Sequence, residues 1–348
     1  MRYSNVCIES IGYELPRHVV TSAEIETRLA PLYDRLQLPY GRLELMSGIR
    51  ERRFWDDGTS PSDVASVAGK KALEQAGVFG QEIECIINCS VSRDFLEPAT
   101  ASVVHERLQI SPRATIFDIS NACLGMLNGM VALGNMIELG QIKRGLLVAG
   151  ENGKPLVETT IRQLLADPTM TRKKFKDAFA SLTIGSGAAA IVMTHASVSK
   201  HGHTLAGGAV QTDSDQNHLC RGSADTGLAA GSRPEMSTQS EELLHRGCEL
   251  AGRTWEDFKK ELGWSDAAVS KTFCHQVGVA HRRLLFETLK LDPAIDFPTV
   301  EFLGNMGSVS LPITMALSIE AGHVQRAEKL ALLGIGSGLN CLMLGVTW

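Results

Sequence analysis

Nowhere in this 348-residue sequence do about 18 apolar residues run together, the length a membrane-crossing helix needs. The amino terminus, MRYSNVCIESIGYELP, lacks the continuous apolar core of an export signal. None of the eight cysteines forms a CxxC pair, so the spacing spells out neither a zinc site nor a disulfide framework. A charge imbalance is missing too. The 34 Lys and Arg are interspersed among 39 Asp and Glu for a net charge of -5, which leaves no basic stripe for nucleic acid and no acidic tail. These absences lead us to expect a globular, cytoplasmic protein without a metal, in which any anionic ligand is met by local groups.

What is present is apolar alternation. With 44% hydrophobic residues, the chain can bury one large core or two medium ones. Strand-like runs (ECIINCSVS, ATIFDIS, GLLVAG, AAAIVM, then LAGGAV, KTFCHQ, TVEFLG, LALLGIG, LMLGVTW) alternate with helix-like ones, which points to an α/β class with helices covering sheets. Cys85 and Cys89, four apart in CIINCS, should face one side of a sheet. The chain also resembles itself. IELGQIKR at 137 to 144 recurs as IEAGHVQR at 319 to 326, an offset of 182, each after an apolar helix and before an apolar strand. The offset places Cys123 on Asn305 and His275 on Arg93, and it implies two pseudo-equivalent halves, 1–200 and 201–348, whose Cys123 and Asn305 turns face each other.

The chemistry-bearing residues gather around this repeat. In FDISNACLGM, Cys123 sits where a strand gives way to an apolar helix, so the helix dipole should favour its thiolate and backbone N–H groups should face an attacked thioester oxygen. A buried, inert thiol is the alternative. His275 follows a strand in FCHQVG, where it is either presented to a crevice or held in a loop; Asn305 in LGNMGS either joins the same site or caps the helix beginning near Ser308 or Ser310. Glu97 precedes a proline in SVSRDFLEP, a setting usual for a solvated carboxylate, and Arg93 with Asp94 reads as a local ion pair or an interface contact. Near the end, GIGSGLNC leaves no room for the ribose-binding acid of a dinucleotide fold and does not have GxSxG spacing, so Ser337 is a poor hydrolase nucleophile. Its glycines suit close backbone approach, and the N–H of Gly338 is placed to complete an oxyanion hole. Gly185-Ser186-Gly187-Ala188 reads as close packing between layers.

Together DISNACLG, FCHQVG, FLGNMGS, the final glycine turn and GIRERR at 48 to 53 resemble the thiolase superfamily and, within it, the ketoacyl-ACP synthase III branch, across essentially the whole chain. SVSRDFLEP, His281 after HQV and LLGIGSGLNC are most similar to the OleA group, acyl-CoA condensing enzymes of long-chain olefin biosynthesis. The resemblance implies a thiolase fold, two βαβαβαββ halves packed as a five-layer α-β-α-β-α sandwich. It also implies a catalytic set of Cys123, His275 and Asn305, with Glu97 as general base reaching the partner's site in a homodimer. No cofactor is implied, since coenzyme A thioesters are the substrates. The priming synthases carry HQAN and GNTS where this chain has HQVG and GNMGS, and their coenzyme-A-contacting Trp and Arg fall on Arg42 and Met46.

On this reading, Cys123 accepts an acyl chain, with Gly338 and the Ser337 turn around the oxyanion, and His275 and Asn305 stabilise the enolate of a second acyl-CoA deprotonated by Glu97. Residues 151 to 182 and 236 to 263 are expected to form a cap over acyl channels, Thr254 with Asp257 resembling a capping box, and Arg172, Lys173 and Lys174 are candidates for coenzyme A phosphates. Downstream pathway enzymes are possible partners. The competing readings are a decarboxylative synthase using malonyl-ACP, a condensing enzyme of β-lactone biosynthesis, a non-catalytic partner subunit and a cysteine hydrolase.

Overall fold

The computed structural model describes residues 1–222 and 235–348. Its centre is a nine-stranded sheet, and the strand register shows how the duplication is built. In the first half, β1 (Val6–Glu14), β4 (Cys85–Asn88), β5 (Thr115–Asp118), β6 (Arg144–Glu151) and β7 (Gly187–His195) lie in the order β1-β7-β6-β4-β5. In the second, β8 (His203–Thr212), β11 (Lys271–Cys274), β12 (Lys329–Gly336) and β13 (Asn340–Thr347) lie in the order β8-β13-β12-β11. Both halves place parallel strands outside antiparallel ones, and they meet where Cys7 and Ile8 of β1 pair with Thr204 and His203 of β8.

The expected five layers are present, and side-chain alternation makes them. Leu147 and Ala149 of β6 face the central core while Leu146 and Val148 face the outer one; in β12 Leu330 and Leu332 turn inward while Ala331 and Leu333 turn outward. The middle layer is α6 (Gly125–Glu138) and α12 (Ser310–Glu320), both gripped by the inner faces of the two half-sheets. Outside lie α4 (Pro61–Ala76) and α5 (Thr100–Arg107) on one flank, α9 (Ser240–Leu262) and α10 (Val279–Leu289) on the other. Cys85 and Cys89 both face the central core, as their spacing indicates. Each Leu, Ile or Val buried this way contributes about 1.5–3 kcal/mol. The glycines of 185 to 188 do serve packing, for a Cβ on Gly185 would stand 2.2 Å from the Leu303 carbonyl oxygen.

Four expectations change. Among the described residues the second half has no strand matching β5, only one parallel bridge between Thr272 and Asp296, because Pro293 and Pro298 flank that segment and donate no ladder hydrogen bonds. TVEFLG forms a short helix, α11 (Val300–Leu303). Residues 236 to 263 are no cap. After two small strands, β9 (Cys220–Gly222) and β10 (Met236–Thr238), they form α9, the partner of α4, whose Leu250, Trp255 and Phe258 cover the outer sheet face. Thr254 is buried inside that helix with its hydroxyl donating to the Leu250 carbonyl, so it caps nothing.

The fourth change concerns register. The offset of 182 holds for α6 and α12, which end at Glu138 and Glu320, but β4 and β11 begin at Cys85 and Lys271, an offset of 271 − 85 = 186. The backbone N–H of Cys89 donates to Val148, and that of His275 donates to Leu333 in the same way. His275 is therefore the counterpart of Cys89, not of Arg93. Four additional residues between β4 and α6 in the first half displaced the alignment.

The remaining elements surround a separate small core. α1 (Ser22–Arg28), α2 (Ala30–Leu36), α3 (Arg42–Ser47) and the β2 (His18–Thr21) and β3 (Glu51–Phe54) ribbon pack against α7 (Lys154–Ala166) and α8 (Arg172–Ala178) through Ile25, Leu32, Tyr33, Ile161 and Phe175. No helix among the described residues is long and apolar enough to cross a membrane.

Candidate active site

Cys123 occupies a sharp turn. The chain leaves β5 at Asp118, adopts a left-handed backbone at Ala122 (φ 44°) and enters α6 at Gly125. Gly125 is needed there, since a Cβ would stand 2.1 Å from the Cys89 carbonyl oxygen and 3.6 Å from Cβ of Ser308. That second contact brings the Cys123 turn against the Asn305 turn, as the repeat implies.

The expected thiolate is not the resting form. Cys123 precedes the first turn of α6, and burial, then Cys220 and Glu151, push its thiol up to about 12, opposed only by its own backbone N–H. The residue retains partial exposure while protein crowds its sulfur.

The turn is bound to the β12–β13 hairpin that contains Ser337 and Gly338. Asn121 donates through Nδ2 to Oδ1 of Asn128 (2.7 Å) and of Asn340 (3.1 Å), and Nδ2 of Asn340 donates to the Ser337 carbonyl (2.8 Å). Gly338 has φ 136° and lies under Asn340, a Cβ there being 3.0 Å from Nδ2. These asparagines escaped the sequence reading because a polar side chain in a glycine-rich turn carries no spacing signature.

His275 is 4% exposed and directly follows β11. Leu333, which accepts its N–H, adjoins Gly334, and a Cβ on Gly334 would stand 2.5 Å from Leu124, the residue after Cys123. Its Nε2 is buried without a hydrogen-bond partner. Burial, then His281, lower its pKa to about 3, and burial lowers that of His281 in the first turn of α10 to about 4, so both rings are neutral at physiological pH. Gln276 holds the adjoining segment: its Oε1 accepts the N–H of Thr299 and Val300, and its Nε2 donates to Phe297. That pins α11, which delivers Asn305.

Asn305 follows Gly304 (φ 67°), donates its N–H to Thr183 and accepts that of Gly185. It does not cap α12, which has no side-chain cap; instead Oδ1 accepts the N–H of Gly307 at 3.0 Å. Nδ2 donates to nothing among the described residues. Arg52 of GIRERR, fully buried, lies behind this turn and binds Val20, Ser22 and Leu182. No carboxylate meets it among the described residues, and burial lowers its pKa to about 10.

Glu97 stands apart. It is exposed on the loop after β4, beside exposed Val91, Phe95 and Leu96, and makes no hydrogen bond or ion pair among the described residues. Asp94 does not pair with Arg93; its carboxylate accepts the N–H of Ser62 at the start of α4. Of the cation run, Arg172 lines a surface pocket with Arg42, Met46, Phe175, Lys176 and Phe179, its guanidinium donating to the Leu36 and Gln37 carbonyls and Lys176 pairing with Glu241 at 2.8 Å, while Lys174 pairs with Asp167 at 3.6 Å. A further charged group, Glu151 at the end of β6, is buried beside the Asn305 turn and was missed, because a carboxylate closing an apolar strand reads as the start of a surface segment.

Comparison with known proteins narrows the chemistry. Residues 117–214 match the profile of 3-oxoacyl-[acyl-carrier-protein] synthase III, and residues 260–348 match that of its C-terminal part. The chain is 42% identical to an acyl-CoA:acyl-CoA alkyltransferase of Shewanella oneidensis and 37% identical to one of Xanthomonas campestris, each over 100% of both chains. A β-ketoacyl-[acyl-carrier-protein] synthase III of Bacillus anthracis is 28% identical over 99% of both. The cerulenin-bound crystal structure of Xanthomonas campestris OleA superposes with a TM-score of 0.94 at 37% identity, covering 100% of this chain and 98% of that one. A cysteine-to-serine form of the same enzyme with bound lauric acid and lauroyl-CoA gives a TM-score of 0.93 at 36% identity, covering 99% and 100%.

Proposed function

Since the chain belongs to the OleA family of thiolase-fold condensing enzymes, the acyl-CoA:acyl-CoA alkyltransferases, we propose that it joins two long-chain fatty acyl-CoA molecules by a non-decarboxylative Claisen condensation. The proposal rests on the buried Nε2 of His275 and on Nδ2 of Asn305, neither with a hydrogen-bond partner among the described residues, carried by segments that pack against the one holding Cys123. Unsatisfied donors of this kind are what an oxygen that gains charge during reaction requires.

In the first half-reaction Cys123 sulfur attacks the thioester carbon of one acyl-CoA. The carbon–sulfur bond to coenzyme A breaks and the thiol proton ends on the coenzyme A sulfur. Burial holds the thiol near 12, and the N–H groups of Cys123 and Gly338 are assigned to the tetrahedral oxyanion. In the second half-reaction another acyl-CoA lays its thioester oxygen between His275 and Asn305. Glu97 takes a proton from the α-carbon, the resulting enolate attacks the acyl-Cys123 carbonyl, and the carbon–sulfur bond to Cys123 breaks as the β-ketoacyl thioester forms, the proton held by Glu97 returning to the Cys123 sulfur. Water then cleaves that thioester, releasing coenzyme A as its thiol and the β-keto acid, the precursor of a long-chain hydrocarbon.

A neutral His275 suits this role because it donates a hydrogen bond without adding a buried charge. The exposed, apolar surroundings of Glu97 suit a loop that is covered by a second subunit, whose site it would serve in a homodimer. The pocket of Arg42, Arg172 and Lys176 is our choice for the coenzyme A phosphates.

The experiment is to supply myristoyl-CoA alone and follow intact-protein mass and product. The expected result is an acyl adduct on Cys123 and a condensed product, with Glu97→Gln keeping the adduct and losing the product. If product appears only when a malonyl thioester is added, the protein is a decarboxylative synthase and this proposal fails.

A further inference from the structure

Glu151 is a buried carboxylate with no cation beside it. It is 5% exposed, and no Lys, Arg or His pairs with it among the described residues. Its satisfaction comes from dipoles on two separate segments. Oε1 accepts the N–H of Val91 (2.9 Å) and the hydroxyl of Ser308 (2.5 Å), and Oε2 accepts the N–H of Ser92 (3.1 Å). Val91 and Ser92 begin the loop that carries Glu97, and Ser308 ends the turn that carries Asn305. The fit around it is close, for a Cβ on Gly307 would lie 3.4 Å from Oε1. Its backbone is fixed as well, the carbonyl accepting Nε1 of Trp55 at 3.0 Å.

Burying an unpaired carboxylate is costly, and an apolar residue with ordinary turn hydrogen bonds could close β6 instead. What an apolar residue could not do is bind both segments to one rigid strand end. From this geometry we infer that Glu151 is a positioning residue for the condensation step: one carboxylate sets the Asn305 turn and the root of the Glu97 loop relative to each other. The inference rests on the condensing reading above. Glu151 acts through the groups it holds and touches no substrate. Burial raises the pKa of Glu151; its ionised form disfavours the Cys123 thiolate, so its removal does not slow acylation through the sulfur.

The test separates the two half-reactions in Glu151→Gln and in the milder Ser308→Ala, each checked for an unchanged melting transition. Both should form the acyl-Cys123 adduct as fast as the parent or faster. Both should lose about tenfold or more in kcat for condensation, as expected when reacting groups are displaced by a fraction of an ångström, with KM within about twofold. Because Ser308 acts through the one hydrogen bond it shares with Glu151, the double variant should lose less than the product of the two single losses. Full condensation in both variants, or acylation falling in step with condensation, overturns the inference. If the parent protein condenses only with a malonyl thioester, the proposed function fails, and the same split measured with that substrate still decides the role of Glu151.

Discussion

The thiol of Cys123 lies near 12 and His275 and His281 are neutral, so reactivity here depends on what surrounds the reacting oxygen more than on a resting charge. The Asn121–Asn340 link makes this testable. Asn340→Ala frees the Ser337–Gly338 hairpin from the Cys123 turn at the loss of about 1 kcal/mol of hydrogen bonding, which should slow acylation by acyl-CoA about fivefold to tenfold. Alkylation of Cys123 by iodoacetamide forms no oxyanion and should proceed at the parent rate. The histidines bear on stability. Their folded pKa values, about 3 and about 4, lie below the unfolded value of about 6.5, so on acidification the unfolded chain binds protons first. The stabilisation is complete above pH 6.5 and is lost as pH falls towards 4, at up to about 1.4 kcal/mol per pH unit for each ring. Urea midpoints between pH 7 and pH 4 should decline less steeply in His281→Gln.

At the scale of elements, α6 matters most. It carries Cys123 at its head and runs through the central core on Met126, Leu127, Met130 and Leu133, so its axial position sets the nucleophile. Gly125 permits that position by contact with the Cys89 carbonyl. Gly125→Ala should force the helix back, destabilise the protein by about 1–3 kcal/mol in denaturant unfolding, and lower the acylation rate of the molecules that remain folded. The same scale shows where sequence reading was reliable. Long periodic segments such as α6 and β12 declared themselves, because burial on a repeating face is a local pattern. TVEFLG did not, because three apolar residues suit a short helix as well as a strand, and Gln276, whose side chain accepts the hydrogen bonds that settle the matter, lies in a different segment.

Two half-sheets joined by so short a β1–β8 pairing cannot owe their cohesion to it; the shared core around α6 and α12 holds them. The molecule should therefore unfold as one unit among its described parts. On the proposed function, a second copy enters through Glu97. If the base serves the partner's site, mixing Cys123→Ala with Glu97→Gln in one cell creates hybrid dimers in which one site has both an intact thiol and an intact carboxylate. Purified hybrids should recover up to about half of the parent condensing activity, whereas each variant alone shows none. Absence of recovery, with hybrid formation confirmed by mass, would place Glu97 in its own subunit's site.

The sequence alone was sufficient for the α/β class, since periodicity is a property of neighbouring residues, and its family resemblance marked Cys123, His275 and Asn305 as candidates through short local motifs. Only the tertiary structure decided that His275 matches Cys89, that α9 is an outer layer and not a cap, and that the Cys123 thiol rests protonated. It alone revealed Glu151 between the Glu97 loop and the Asn305 turn. The physical reason is common to all four: strand register, burial and the partners of a buried charge are fixed by contacts between segments far apart in the chain, and no local pattern encodes them.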